Sequence, residues 1–309
     1  MKVLVLGNGL HTNKRILPAL NKIEYIDSII VGDRNADKES SVNKITRILN
    51  FNESVDSKHN YDLSIIATPP YNHVESFKKI KNISKRVLVE KPFSNDFDYI
   101  FGEEFQNYIK NNLVFESLMY FHHPVWSKLK HILKSKNILT VESEFSVPHL
   151  SNKSFRYIKK LGGGSLNDQG IYPISLISEL INDEYVINSL TIEKEKSFEV
   201  DLGGEINISY ENKTFIGKWG LGKEYKNYIK FTDVDGKEYS VNFFYSKPDN
   251  TEVKIETLDN NPNLKVGMYD QFKIMFEDAL RDDTKKFEYS NNINLLKRYS
   301  LFKKVFEEI

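Results

Sequence analysis

A short glycine-rich run near the N-terminus has the residue types that a phosphate-binding turn needs. It reads Gly7-Asn8-Gly9-Leu10-His11-Thr12 and lies between a strand-like segment and a probable helix. Gly7 permits a tight turn, Gly9 lets the backbone approach a pyrophosphate, and the helix N-terminus offers unpaired N–H groups. Thr12 stands where the G-x-G-x-x-G fingerprint has its third small residue. We predict that all six residues bind a dinucleotide, the alternative being an ordinary strand-to-helix turn.

Two charged residues after the second strand-like run bear on the choice of cofactor. Asp33 lies at the distance at which dinucleotide-binding folds place an acidic residue on the ribose. Its carboxylate would accept hydrogen bonds from a ribose 2′-hydroxyl and repel a 2′-phosphate, which favours NAD. Arg34 follows directly and could bind a 2′-phosphate, which favours NADP. The sequence therefore predicts NAD or NADP, with NAD slightly favoured.

Polar and charged residues also follow the next two strand-like runs. Thr68 and Pro69 come after the third run, and Glu90 and Lys91 come directly after the fourth, ahead of a proline. Because the carboxyl ends of parallel strands line the ligand crevice of such sheets, we expect these four residues to border the cofactor. His73 belongs to the same cofactor-side loop, and a structural role is favoured for it over a catalytic one.

The order of apolar runs in the first part of the chain predicts the fold that would position these residues. Near-continuous apolar runs suit strands covered on both faces by helices, and a series that alternates them with helical segments predicts a parallel, doubly wound sheet. We therefore predict an α/β Rossmann domain over residues 1–118. The strand-like runs are 3–6, 28–31, 63–66, 86–89 and 113–115, and the crossover helices are predicted at 12–22, 37–49, 72–82 and 95–110.

The pattern changes in the second part of the chain. Apolar and polar residues alternate at 206–210 and 215–219, with a hairpin turn between them, which favours an antiparallel sheet. We predict an α+β domain over residues 119–309 with a large, mostly antiparallel open sheet. Its other strands are predicted at 138–147, 187–193, 226–232 and 238–245, and its helices at 173–182, 269–281 and 292–308.

Composition excludes several classes of function. The 43 basic and 43 acidic side chains give no net charge that would attract nucleic acid or an anionic membrane, and we expect neither partner. The absence of cysteine excludes disulfides and a thiolate nucleophile and is compatible with a cytoplasmic protein. The seven histidines show no H-x-x-x-H or H-E-x-x-H spacing, so no metal site is predicted.

Five motifs in order along the chain resemble the glucose–fructose oxidoreductase / inositol dehydrogenase / MocA (Gfo/Idh/MocA) family. Residues 161–173 are similar to the family's motif G-G-G-x-L-x-D-x-G-x-(His/Tyr), and residues 116–124 look like its segment between the two domains. The sequence departs from the family at Phe121, where relatives carry arginine, and at Thr12. The other motifs are the turn at 7–12, Ala67-Thr68-Pro69 and Glu90-Lys91-Pro92.

The resemblance implies hydride transfer to or from a carbinol carbon of a sugar, a nucleotide-linked sugar, an inositol or a diol. It makes Lys91 the pocket lysine, Asp168 the motif aspartate and Tyr172 the residue at the His/Tyr position. Since hydride transfer at carbon needs proton transfer at oxygen, Tyr172 could act as the base if an ammonium such as Lys91 lowers its pKa from about 10. If the segment is helical, Asp168 shares a face with Tyr172 and could orient Lys91 or a substrate hydroxyl.

Alternative roles remain open for these and for neighbouring residues. Tyr172 could be a packed aromatic residue and Asp168 a helix cap. Arg156 could bind an anionic group of the substrate or form an ordinary ion pair. His122 is a further substrate contact by its place beside Phe121, although structural histidines are more common.

The function predicted from these features is an NAD(P)-dependent oxidoreductase of sugar-like alcohols or ketones. A more specific version is an enzyme that acts on a nucleotide-linked sugar in bacterial surface-polysaccharide synthesis. A dihydrodiol or aldose dehydrogenase is the alternative. A non-catalytic dinucleotide-binding sensor or scaffold is a hypothesis of another class. The second domain would bind substrate and form a homodimer or homotetramer, for which the aromatic strands 215–219 and 243–245 are a candidate interface.

Overall fold

The computed structural model describes residues 1–34, 46–135, 137–151, 154–247, 251–257, 264–281 and 292–309. Two compact units are present. The first comprises Met1–Leu118 and Asp270–Leu296, and the second comprises Met119–Tyr269 and Lys297–Ile309. The first unit thus includes a segment, 270–296, that the sequence pattern groups with the C-terminal half. The functions assigned to residues 1–118 and 119–309 stay predictions.

The first unit contains a six-stranded parallel sheet, as the sequence predicts for a doubly wound domain. The strand order is β3-β2-β1-β4-β5-β6, so the chain runs outward from β1 in both directions. The interior strands are buried on both faces, which accounts for their near-continuous apolar sequences. The strands are β1 (Lys2–Leu6), β2 (Ser28–Asp33), β3 (Thr46–Asn50), β4 (Leu63–Ile66), β5 (Arg86–Val89) and β6 (Leu113–Glu116).

Two of the predicted crossover helices differ from the structure. Residues 46–50 form the edge strand β3, so the helix predicted over 37–49 is wrong for 46–49, and 37–45 lie outside the described residues. The hydrophobic periodicity of so short a segment does not distinguish a helix from a strand. Its pairing with β2 makes it a strand. The helix predicted over 95–110 is split by Gly102, which has an extended backbone.

The helices of this unit before residue 118 are short. One turn of π-helix, Thr12–Ile16, continues directly into α1 (Leu17–Asn21). A 3-10 turn, Pro70–Asn72, leads in the same way into α3. The remaining bounds are α2 (Phe51–Ser54), α3 (His73–Ile80), α4 (Phe97–Phe101) and α5 (Glu103–Ile109).

The second unit contains an eight-stranded mixed sheet, and only the β7–β10 pair in it is parallel. Its order is β14-β13-β12-β11-β7-β10-β9-β8, which confirms the predicted, mostly antiparallel sheet. The predicted hairpin joins β9 to β10 through Glu211 and Asn212. The strands are β7 (Ile138–Val147), β8 (Val186–Lys194), β9 (Asp201–Tyr210), β10 (Lys213–Leu221), β11 (Lys226–Asp233), β12 (Glu238–Asn242), β13 (Val253–Thr257) and β14 (Leu264–Gly267).

Most aromatic side chains at 215–219 and 243–245, the predicted subunit interface, belong to the core instead, and Phe243 is the exposed exception. Phe215, Trp219, Phe244 and Tyr245 are buried within the second unit, so their rings pack inside it. The predicted strand 238–245 ends at Asn242, because Phe243 adopts a left-handed backbone with φ 53°. Helices of this part are α6 (Pro124–Lys134) and α7 (Ile171–Leu180), the latter buried along its whole length.

Two more helices complete the fold. Helix α8 (Gln271–Leu280) belongs to the first unit, and the boundary between the units falls within α9 (Asn292–Phe306). Both agree with helices that the amphipathic pattern predicts. No helix within the described ranges combines the length and the apolar character that crossing a membrane requires.

His123 caps the N-terminus of α6. Its Nδ1 accepts a hydrogen bond from the backbone N–H of Val125 at 3.1 Å, and Pro124 occupies the first helical position. Burial, together with the nearby ammonium of Lys247, lowers the pKa of His123 to about 3. The side chain is therefore neutral in the folded protein and has a structural role.

The low pKa of His123 should make acid unfolding depend on this residue. An imidazole in the unfolded chain has a pKa of about 6.5, so below that pH the unfolded state binds a proton that the folded state does not. The free energy of unfolding should fall as the pH drops, by at most about 1.4 kcal/mol per pH unit from this group. In His123→Asn, which keeps a capping acceptor, urea unfolding between about pH 6 and pH 4 should show a shallower slope. Equal slopes would contradict this, and His131→Asn, at an exposed position of α6, is the matched control.

Candidate active site

The glycine-rich turn connects β1 to the helix that follows it and has a backbone that requires glycine. Gly7 has φ 103°, and a Cβ atom there would lie 2.8 Å from the carbonyl oxygen of Ala67. The N–H of Gly7 donates to the carbonyl of Gly32 at the end of β2. The turn is thus held against the carboxyl ends of both neighbouring strands.

Thr12 and Asn13 close this turn from the helix side. The Thr12 hydroxyl, fully buried, donates to the Gly7 carbonyl at 2.8 Å. The Asn13 side-chain amide donates to the Asn8 side chain at 2.8 Å and to the Gly9 carbonyl at 3.0 Å. The departure from the fingerprint at Thr12 therefore adds a hydrogen bond that fixes the turn. The contacts of Asn13 have no signature in the motif and were not predicted.

The residues of the turn that would contact a ligand are accessible to solvent. Apart from Gly9 itself and its two chain neighbours, no residue has an atom within 4 Å of the position that a Gly9 Cβ would occupy, and the Leu10 side chain is exposed. A diphosphate could therefore approach the backbone at Gly9 without rearrangement, so the turn fits a dinucleotide. Asp33 ends β2 half-exposed and Arg34 follows it on the surface, as a ribose contact requires.

Glu90, at the end of β5, connects His11 of the turn to Ser117 at the end of β6. Its Oε1 accepts from the Ser117 hydroxyl at 2.7 Å and lies 3.3 Å from His11 Nε2. Burial acts to raise the pKa of Glu90, but His11, Ser117 and Lys91 outweigh it and hold that pKa below its ordinary value. The His11 ring also meets Phe272 of α8 edge-on at 5.5 Å. A charged carboxylate thus links the turn to the strand end that carries Lys91.

His73 links the two loops that the sequence places beside the cofactor. Its Nδ1 lies 2.9 Å from the Pro92 carbonyl, and its Nε2 lies 2.7 Å from the Thr68 carbonyl. The side chain is fully buried, and the Lys91–Pro92 peptide bond next to it is cis. The contacts of His73 are those of a structural residue that fixes both loops.

In the second unit, Asp168 and Arg156 lie together. The Arg156 Nε–H donates to Asp168 Oδ2 in a salt bridge, and the Gln169 side-chain amide donates to the same oxygen at 2.6 Å. Arg156 remains about one-third exposed. The pairing that the sequence leaves open for Arg156 is therefore present, and its partner is the motif aspartate.

The glycine run before Asp168 lets two backbone segments touch. A Cβ at Gly163 would lie 2.6 Å from the carbonyl oxygens of Phe155 and Arg156, and the N–H of Gly164 donates to the Arg156 carbonyl at 2.9 Å. The segment that carries Arg156 is thereby fixed beside the segment that carries Asp168.

Asp201 is a residue of this site that sequence reasoning missed. Its Oδ2 accepts from the Ser165 hydroxyl at 2.5 Å and from the Leu166 N–H at 2.7 Å, where a turn of π-helix, Leu166–Gly170, begins. Asp201 opens β9, far from this turn in sequence, so no local motif could have identified it.

Tyr172 lies at the start of α7 inside an aromatic cluster. Its ring centroid is 4.9 Å from that of Phe145, 5.4 Å from Tyr245 and 6.1 Å from Tyr120. The hydroxyl lies 3.8 Å from the sulfur of Met119. Asp168 lies four residues before Tyr172 in a single turn of π-helix, Leu166–Gly170, that continues directly into α7.

The remaining candidates of the second unit differ in environment. Phe121 is buried and packs on Tyr120 and Trp126, with the Arg298 guanidinium 5.7 Å from its ring, so it serves the core. His122 is half-exposed in a short 3-10 turn, Met119–His122. Within the part of the chain that the structure describes, no three His, Cys, Asp or Glu side chains gather as metal ligands.

Comparisons with known proteins agree with this geometry. Residues 1–103 match a family model described as an oxidoreductase family with an NAD-binding Rossmann fold. The dTDP-3,4-didehydro-2,6-dideoxy-alpha-D-glucose 3-reductase of Saccharopolyspora spinosa is 24% identical over 231 residues, which are 72% of this chain and 68% of the relative.

Two solved structures share the fold over nearly the whole chain. A 3-ketoreductase from Actinomadura kijaniata, in complex with NADP and TDP-benzene, superposes with a TM-score of 0.85 at 21% identity, covering 99% of this chain and 97% of the other. An aldose–aldose oxidoreductase from Caulobacter crescentus gives 0.79 at 16% identity, covering 100% and 98%. The N-terminal third of the chain thus matches the Gfo/Idh/MocA family model, and the whole chain shares its fold with these two oxidoreductase structures.

Proposed function

We propose that the protein transfers hydride between NAD or NADP and the alcohol or ketone carbon of a nucleotide-linked sugar. The observation that carries this proposal is the turn at Gly7, which has a glycine-only backbone and an open approach at Gly9. The substrate class is supported by the Saccharopolyspora spinosa relative, whose name is that of a dTDP-sugar 3-reductase. A place in bacterial surface-polysaccharide synthesis stays a prediction.

The cofactor would be held by residues at the carboxyl ends of the parallel strands. Backbone N–H groups of the turn 7–12 would bind its pyrophosphate, and Asp33 or Arg34 would contact the adenosine ribose or its phosphate. Thr68 and Pro69 follow β4, and Glu90 follows β5. These three residues would border the remaining part of the cofactor. When bound, the nicotinamide supplies or accepts the hydride. The preference for NAD stays a prediction.

Lys91 and Tyr172 would handle the proton and the charge at the reacting oxygen. In reduction Tyr172 donates its phenolic proton to the carbonyl oxygen, and in oxidation the phenolate removes the alcohol proton. The ammonium of Lys91 would stabilise negative charge on the phenolate oxygen of Tyr172 or on the alkoxide oxygen of the substrate. The charge of Lys91 is needed for this role, because the aromatic residues around Tyr172 exclude the water that would otherwise stabilise a phenolate.

The other side chains would orient the sugar. Asp168 accepts hydrogen bonds and would take one from a sugar hydroxyl, while Arg156, held by Asp168 and part-exposed, would bind an anionic group of the substrate. His122, half-exposed in its turn, would be a further contact.

A screen over nucleotide sugars, free aldoses and diols with both cofactors tests the proposal. Turnover confined to aldoses or diols would favour the second candidate, an aldose or dihydrodiol dehydrogenase, which the fold shared with the Caulobacter crescentus enzyme supports. Cofactor binding without turnover of any compound would favour a sensor or scaffold.

Gly9→Ala should weaken cofactor binding without harming the fold. The new methyl group would meet no protein atom within 4 Å, so the melting temperature should stay unchanged. It would project where the pyrophosphate must approach, and we expect the Kd for NADH and NADPH to rise at least about 10-fold. Fluorescence titration with each cofactor measures this and, on the wild type, the cofactor preference. An unchanged Kd would remove the turn from the binding site.

Tyr172→Phe and Lys91→Met should each lower kcat while leaving cofactor affinity within a few-fold of wild type. Loss of a positioned proton donor typically costs about 10²- to 10⁴-fold in rate. The kcat of both variants on a nucleotide-linked ketosugar, with stopped-flow cofactor binding alongside, gives the measurement. Lys85→Met, a change at an exposed lysine just before β5, is the control for loss of a lysine. A kcat near the wild-type value in either variant would refute the role of that residue.

We further propose a homodimer or homotetramer formed through the open face of the eight-stranded sheet. Charged side chains cover part of this face, with Lys218 3.4 Å from Glu142 and Lys226 3.7 Å from Glu144. Equilibrium sedimentation at micromolar concentration should show an oligomer that weakens as salt rises, and a monomer would reject the proposal. A cytoplasmic location stays a prediction.

A further inference from the structure

Two aromatic side chains of the second unit are exposed next to each other. Tyr225 is 43% exposed and Phe243 is 39% exposed. Their ring centroids are 6.4 Å apart, with the planes tilted by 34°. Rings at this separation contact each other and present one aromatic surface to solvent. We refer to Tyr225 and Phe243 as the aromatic pair.

A buried asparagine fixes both members of the pair. The Asn227 side-chain amide donates to the Tyr225 hydroxyl at 3.1 Å and to the Ser246 carbonyl at 2.5 Å, and its Oδ1 accepts from the Tyr245 N–H at 2.8 Å. Its backbone carbonyl accepts from the Phe243 N–H at 2.7 Å. Asn227 thus forms hydrogen bonds with backbone groups of the loop after β12, and it also orients Tyr225.

Phe243 is exposed through an unfavourable backbone conformation. Its φ of 53° is one of only two positive values among the described residues other than glycine. For a bulky aromatic residue this conformation is a true outlier, and such outliers cluster at functional sites. It turns Phe243 outward while the next two residues, Phe244 and Tyr245, enter the core.

The pair lies on the same side of the sheet as the proposed catalytic tyrosine. Asn227 is the cross-strand partner of Phe145, and the Phe145 ring packs on Tyr172. Tyr225 precedes Asn227 by two residues and is hydrogen-bonded to its side chain. It therefore extends this face of the sheet past the first residue of β11. From the other direction, Tyr245 contacts Tyr172 and lies two residues after Phe243.

We propose that the aromatic pair is a stacking surface for the base of the substrate's nucleoside, an inference that rests on the proposed function. A nucleobase offers a flat aromatic face of the size of one side-chain ring, and base–aromatic stacking tolerates different bases. Two half-exposed rings are far too small for a stable protein interface, which buries about 1,000 Å² or more. Rings held rigidly before binding lose little freedom when a base stacks on them.

The test compares Tyr225→Ala and Phe243→Asn with wild type. Asparagine is chosen at 243 because it tolerates the left-handed backbone. Isothermal titration in the presence of saturating NADPH measures the Kd of thymidine diphosphate and of inorganic diphosphate. Each variant should raise the Kd of thymidine diphosphate at least about 10-fold and leave that of inorganic diphosphate unchanged. Tyr25→Ala, at a tyrosine of the first unit that is 44% exposed, is the control.

Each other outcome separates this inference from the proposed function. If wild type binds thymidine diphosphate and both variants bind it equally well, the stacking surface is refuted while the proposed function stands. If wild type binds NADPH but not thymidine diphosphate, the substrate class and the stacking surface both fail. A variant that changes only the sedimentation coefficient would make the pair a subunit contact and overturn the inference. If NADPH itself does not bind, the proposed function fails first.

Discussion

The buried carboxylate of Asp201 is the contact on which the start of helix α7, and with it the proposed site of the second unit, depends. It accepts hydrogen bonds from Ser165 and Leu166, where the segment carrying Asp168 turns into the π-helix before α7. Burial raises the pKa of Asp201, and these two hydrogen bonds act against that rise. These bonds fix the start of the turn that leads to Asp168 and Tyr172. A strand of the sheet thus sets the geometry of the proposed catalytic helix.

The first unit fixes its glycine-rich turn at residues 7–12 by the same means, with polar side chains placed behind the residues that would meet a ligand. Thr12 and Asn13 bond to the carbonyls and side chain of the turn, while His73 joins the loops after β4 and β5. Glu90 adds a charged link between the turn and the end of β6. The exposed backbone at Gly9 is therefore held in place before any ligand binds, which lowers the entropic cost of binding.

The sequence predicts the sheet of the first unit and most of the second because their strands carry strong apolar periods. Prediction from the sequence fails where the local structure is determined by a contact with a residue far away in the chain. Strand β3 exists because β2 offers it an edge, and Asp201 acts on a turn 35 residues away in the chain. Phe243 is read as part of a strand because its positive φ leaves no mark on the apolar pattern. The π-helical turn that carries Asp168 likewise leaves no mark on the apolar pattern.

The same contrast explains which site residues could be named from the sequence. Residues that would touch the ligand lie at strand ends and in glycine turns, and these positions have local signatures that a motif can capture. Residues that hold them, such as Asn13, Asp201 and Asn227, act through hydrogen bonds whose partners belong to other elements or to backbone atoms of any residue type. Backbone partners place no demand on side-chain identity, so these contacts leave no paired pattern in a single sequence. Asn227 shows the consequence, because one buried amide positions an exposed tyrosine and a strained loop that no motif connects.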